Sequence, residues 1–112
     1  MKNSKKKIIY SEFIGSCFLV MIVVGSGIMA QNLTNDTAVM LLANTIATGA
    51  GLFVLITVFS DISGAHFNPF VTLSMFFAGR LKSKLIHIYI LSQIFGCLAG
   101  VGLANFFFEL PI

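Results

Sequence analysis

Three long apolar stretches dominate the chain, at 8–30, 38–59 and 85–107. Each is about as long as the ~20 residues a helix needs to cross a bilayer, so the pattern predicts three transmembrane helices. The stretch 60–78 breaks that pattern. Its first half gathers Asp61, Ser63, Gly64, His66 and Asn68, polar groups and poor helix formers that lipid does not tolerate. Its second half is apolar again and reads as a short helix over 69–78. Asn68 suits the cap, Pro69 the first helical position and Gly79 the stop. Such a helix is about 15 Å long, half of a ~30 Å hydrocarbon core. The expected element is therefore re-entrant. The chain dips in as a loop and climbs back out as a half-helix, with the helix N-terminus near the midplane.

Composition supports the membrane reading. The chain is 57% apolar and only 10% charged, whereas soluble domains carry about 25% charged residues. A soluble globular domain is excluded, and the short connections leave no room for a large extramembrane catalytic domain. The seven basic residues stand in two groups, Lys2, Lys5, Lys6 and Lys7 before the first stretch and Arg80, Lys82 and Lys84 before the third. The connection 31–37 holds Asp36 and no cation. By the positive-inside rule the N-terminus is cytoplasmic and the C-terminus outside, in a multi-pass protein of the cell (plasma or inner) membrane. Bilayer orientation accounts for the lysines, so no nucleic-acid partner is expected.

Cys17 and Cys97 lie inside apolar stretches and read as free, packed thiols. His66 and His87 have no Cys or carboxylate at ligand spacing, so neither a metal nor another cofactor is expected. The first stretch is too long for the ~7 to 15 apolar residues of a signal peptide and reads as a retained helix. In the third stretch, Gly96 and Gly100 stand four apart, a spacing that marks a helix packing surface.

A half-helix that starts in mid-membrane aims unpaired N–H groups and about half a positive charge at whatever occupies that depth, which disfavours cations and protons. The non-helical backbone before it, 63–67, must be buried in protein or line a wet cavity. A row of carbonyls beside a wet path is a pore lining. Asn68 then either only caps the helix or also offers its amide N–H to a passing molecule. Glu12, one turn from the end of its stretch, can snorkel to the nearby interface.

The run from Ser63 to Leu73, Ser-Gly-Ala-His-Phe-Asn-Pro-Phe-Val-Thr-Leu, resembles the first pore signature of the aquaporin and glycerol-facilitator family, S-G-A-H-x-N-P-A-V-T. Ser11 to Ser16, with the Gly25-Ser26-Gly27 ending, resembles that family's first helix, and Gln93 followed by Gly96 its third. The resemblance runs from about Tyr10 to Phe107, the N-terminal half of a family member. It implies an all-α membrane fold, three transmembrane helices plus one re-entrant half-helix, forming one half of an inverted repeat. It also implies a passive channel for water or small uncharged solutes, with no reaction catalysed. By similarity Asn68 is the amide at the midplane constriction, and the carbonyls of Gly64, Ala65 and His66 lead to it. Glu12 is then the carboxylate that holds the loop through backbone N–H groups. Thr48 falls where the family's second helix contributes to the narrow outer filter. It is smaller than the aromatic of water-selective members, which favours larger solutes. Gly49 and Gly51 read as close-packing positions.

Two departures matter. Phe70 replaces the alanine of the Asn-Pro-Ala triplet, at the tip where two half-helices normally meet. The chain also carries one signature where the family has two. One copy cannot enclose a pore, so the resemblance implies a complementary C-terminal half, or an oligomer of aquaporin-like chains. A homodimer of opposed copies conflicts with the one-sided placement of the lysines. The alternatives are a small multidrug-type proton-coupled exporter, whose relatives have four full spans, a non-conducting subunit that associates through Gly96 and Gly100, and a non-functional remnant.

Overall fold

The computed structural model describes residues 2–112, with side chains from residue 5 onward. The Lys2 side chain lies outside them. The elements are α1 (Lys2–Leu33), α2 (Thr37–Ser63), α3 (Pro69–Phe77), a single 3-10 turn (Ser83–Leu85) and α4 (Ile86–Phe107). Among the described residues there is no strand. Three segments are long and apolar enough to cross a membrane: Lys5–Leu33, Thr37–Ser63 and Ser83–Phe107.

Helix α1 is the central element and packs against both α2 and α4. Its contact with α4 is parallel, because Gly96 meets Phe13 and, one turn on, Gly100 meets Cys17. A methyl at either glycine would collide with the carbonyl oxygen of its α1 partner. The two glycines let the backbones approach as larger residues would not. They therefore face α1 within the same chain, and the surface that the accessory-subunit alternative needs is already occupied.

The contact with α2 is antiparallel. Ser11 lies beside Ser63, Ile22 beside Gly51, and Asn44 Nδ2 donates to the Val23 carbonyl at 2.8 Å. Asp36 caps α2, its carboxylate accepting the N–H groups of Ala38 and Val39 at 2.9 and 3.2 Å. Gly51 is a close-packing position, as expected. Gly49 is not, because a Cβ there would meet nothing within 4 Å.

The boundary of the re-entrant segment also differs from expectation. Helix α2 continues through Ser60 and Asp61 to Ser63, where Gly64 ends it with φ 89° and its N–H bonded to the Ser60 carbonyl. Of the polar residues that argued against a helix, Asp61 and Ser63 sit in its last turn, while Gly64, His66 and Asn68 stay in the loop. Ser60 and Asp61 are exposed there, and Ser63 turns inward to a partner. The non-helical stretch is thus Gly64 to Asn68. It is followed by α3, whose nine residues span about 14 Å. Gly79, with φ 73°, ends α3, and the Arg80 N–H reaches back to the Met75 carbonyl.

The loop goes deep. Ala65 and Phe67 form a buried cluster with Leu55, and Leu19, Ile22, Leu52 and Phe59 pack against it. Leu19 lies about 16 Å along α1 from Ile8, where the apolar run begins, which is close to the midplane of a ~30 Å core. The Phe67 ring fills the space over Gly15 and meets Phe59 edge to face at 5.9 Å.

Candidate functional site: the re-entrant loop and its anchor

The Glu12 side chain is completely buried in the middle of the bundle and accepts four hydrogen bonds. Its Oε1 takes the Ser63 hydroxyl at 2.6 Å and the His66 N–H at 3.1 Å. Its Oε2 takes the Phe67 N–H at 2.7 Å and Gln93 Nε2 at 2.9 Å. A carboxylate removed from water is costly unless donors replace its hydration. Here neutral donors from α2, the loop and α4 converge on one acceptor of α1, so the cost of burying the charge is offset by fixing the loop.

The loop needs such fixing. Gly64, Ala65 and Phe67 have φ of 89°, 52° and 54°, a region that costs non-glycine residues about 1–3 kcal/mol each. The N–H groups from Gly64 to Phe67 are all paired. Ala65 N–H donates to the Ser63 hydroxyl at 3.1 Å, and those of His66 and Phe67 go to Glu12. Ser11 donates to the Ser63 hydroxyl at 2.9 Å, and Ser16 to the Phe67 carbonyl at 3.4 Å.

The carbonyls behave differently. Tyr89 donates its hydroxyl to the Ser63 carbonyl. Among the described residues no donor meets the carbonyl oxygens of Gly64, Ala65 or His66. Asn68 follows in extended conformation and caps α3, its Oδ1 accepting the Phe70 N–H at 2.8 Å. That bond assigns the oxygen and so points Nδ2, a donor, elsewhere. Capping and offering an N–H are therefore compatible in one residue.

A second set of contacts ties α3 to α4. Thr72 is completely buried and its hydroxyl takes Gln93 Nε2 at 2.9 Å, while bonding the Asn68 carbonyl at 3.3 Å and His66 Nδ1 at 3.1 Å. The His66 ring stacks on Tyr89 at 4.5 Å. The opposite side of α3 is bare: Phe70 is 77% and Phe77 81% exposed. Asn68 and Gly64 are exposed on the loop.

Thr48 is not brought to this cluster. It lies on α2 two turns beyond Leu55, about 10 Å further along the helix, half-buried and with its hydroxyl buried and unpaired. Pro69 opens α3 beside Asn68. Sequence reasoning gave Gln93, Thr72 and Tyr89 no role, yet they complete the anchor. The available signal was polarity inside an apolar span, with Tyr89 and Gln93 one helical turn apart on α4. Among the described residues no cluster of three or more His, Cys, Asp or Glu is arranged to hold a metal ion.

A sequence model described as "Major intrinsic protein" matches residues 1–110. The chain is 50% identical over 101 residues to Aquaglyceroporin AqpS of Rhizobium meliloti, an alignment covering 90% of this chain and 43% of that protein. It is 36% identical over 94 residues to Aquaporin A of Dictyostelium discoideum and 37% identical over 94 to Aquaporin-8 of Mus musculus, in each case 84% of this chain and 34% of the relative. The chain thus spans less than half the length of these curated relatives. The family match leaves the multidrug-type exporter without support. This membrane chain belongs to the major intrinsic protein family.

Proposed function

We propose that this chain forms one side of a passive pore for water or small uncharged solutes, completed by a complementary C-terminal half. The observation that carries the reading is the loop itself. Among the described residues the carbonyls of Gly64, Ala65 and His66 have no partner and Asn68 Nδ2 is uncommitted, beside the N-terminus of α3. Such groups do not face lipid. They require water, solute or protein. No bond is made or broken in this mechanism. The carbonyls of Gly64, Ala65 and His66 accept hydrogen bonds from a passing molecule, and Asn68 Nδ2 donates one. The positive end of α3 repels cations.

The pore's open side explains the need for a partner. Among the described residues α3 packs mainly against α4, and Phe70 and Phe77 stay bare. The placement of the lysines supports a cytoplasmic N-terminus and an external C-terminus in the plasma or inner membrane. Thr48, a small residue with an unpaired hydroxyl, acts at the outer filter and admits solutes larger than water.

The test is stopped-flow light scattering on proteoliposomes under water and then glycerol gradients. Chain alone is compared with chain plus the remaining C-terminal part of the Rhizobium meliloti aquaglyceroporin, each with Asn68→Asp as control. Permeability that appears only in the pair and falls in the variant is the expected result. Permeability of the chain alone overturns the complementary-half reading, and none in either preparation overturns the pore.

A further inference from the structure

Two outward grooves of similar size flank α1 at the end of the bundle that carries the lysines. One, of about 320 Å³, lies between α1 and α2 and is lined by Lys6, Lys7, Tyr10, Ile14, Phe59 and Ile62. The other, of about 300 Å³, lies between α1 and α4, with Ile9, Phe13, Leu91 and Phe95 on its walls. Their walls are alike but their mouths are not. The first opens under two ammonium groups, with no acid among its lining residues. The second has only His87 and Ser92 as polar lining.

We infer that the α1/α2 groove is a binding site for an anionic phospholipid. Lys6 and Lys7 stand one turn before Tyr10 and two before Ile14, so a phosphate at the lysines leaves an acyl chain running inward over about 12 Å of apolar wall. Ser11, also in the lining, has its hydroxyl hydrogen committed to Ser63 at 2.9 Å, which leaves the lysines as the groove's cationic donors. Tyr10 is 65% exposed at the level where an aromatic hydroxyl meets the headgroups. Long lysine stems reach the interface from there while their methylenes cover apolar surface. A zwitterionic lipid fits the walls equally well but gains nothing from two adjacent cations, so charge decides the occupant. The inference concerns the outward side of α1 and α2 and stands independently of pore function.

The chain contains no tryptophan, which makes single reporters clean. Tyr10→Trp reports on the α1/α2 groove and Phe95→Trp on the α1/α4 groove. Each is reconstituted in phosphatidylcholine mixed with brominated phosphatidylglycerol, and the quenching is converted to a relative binding constant. Preference for the anionic lipid is expected at the Tyr10→Trp reporter and not at the Phe95→Trp reporter. It should fall by about fivefold for each of Lys6→Gln and Lys7→Gln. Equal preference at the two reporters, or no change on removing the lysines, overturns the site. Quenching by neither lipid at the Tyr10→Trp reporter also overturns it, since the groove is then covered by protein. Native mass spectrometry of the unaltered chain gives a second reading. Phosphatidylglycerol retained over phosphatidylcholine, and lost in the double lysine variant, supports the site; equal retention does not.

Discussion

The two sides of α3 teach different things about the same segment. Toward α4 and α1, Thr72 and Glu12 are completely buried and share Gln93 between them. Away from them, Phe70 and Phe77 touch almost nothing. The buried side is polar and over-determined: one carboxylate, one amide and one hydroxyl hold a backbone with three positive φ values. The bare side is apolar apart from the loop carbonyls, Asn68 and Ser74, whose hydroxyl donates back to the Phe70 carbonyl at 2.9 Å. Among the described residues, this chain supplies the contacts that hold the half-helix from behind and leaves Phe70 and Phe77 uncovered in front.

Removing the anchor should break the contrast most strongly. Glu12→Ala leaves the His66 and Phe67 N–H groups, the Ser63 hydroxyl and the Gln93 amide without their acceptor. At about 1–3 kcal/mol for each buried group left unpaired, the loop should lose at least ~3 kcal/mol of local stability. Hydrogen exchange at the His66 and Phe67 amides, read in nanodiscs, should then accelerate about a hundredfold or more. Unchanged protection there would mean that packing of Phe67, not Glu12, holds the loop.

A smaller effect is expected at the seam behind the anchor. Gly100→Ala drives a methyl into the Cys17 carbonyl and should cost about 1–3 kcal/mol in detergent-titrated unfolding. Gly49→Ala meets open space, and its better helix propensity should leave stability unchanged or raised by up to ~1 kcal/mol. Equal losses at the two glycines would contradict the assignment of the α1/α4 contact. The smallest effect belongs to the bare side. Phe70→Ala should change the stability of the chain alone by less than ~0.5 kcal/mol, because so much of the ring is exposed. A loss above 2 kcal/mol in the same assay would mean that the ring is buried in this chain by itself.

Much of the architecture was legible because membrane burial writes strong signals. Apolar length marked the three spans, and Asn68, Pro69 and Gly79 marked the start and stop of α3. What the pattern missed lies where polar residues act inside the bundle. By pattern Ser60 and Asp61 belong to the loop, but α2 runs on to Ser63 and leaves both exposed in its last turn. Gly49 and Gly51 looked alike, yet two residues on a helix are 200° apart and only one of them faces Ile22. Thr72, Tyr89 and Gln93 belong to elements separated in sequence, and no local spacing announces that they meet Glu12 and the loop. The Glu12 role rested on family resemblance, and its four donors are a property of the fold.

The re-entrant course of the segment between α2 and α4 is the central claim, and side-specific cysteine labelling tests it most directly. With Cys17 and Cys97 replaced by alanine, Ser60→Cys and Arg80→Cys are each exposed in sealed vesicles to a membrane-impermeant maleimide. Both positions should react from the same side, and Leu110→Cys from the other. Reaction of Ser60→Cys and Arg80→Cys from opposite sides would make the segment a fourth crossing and contradict the account.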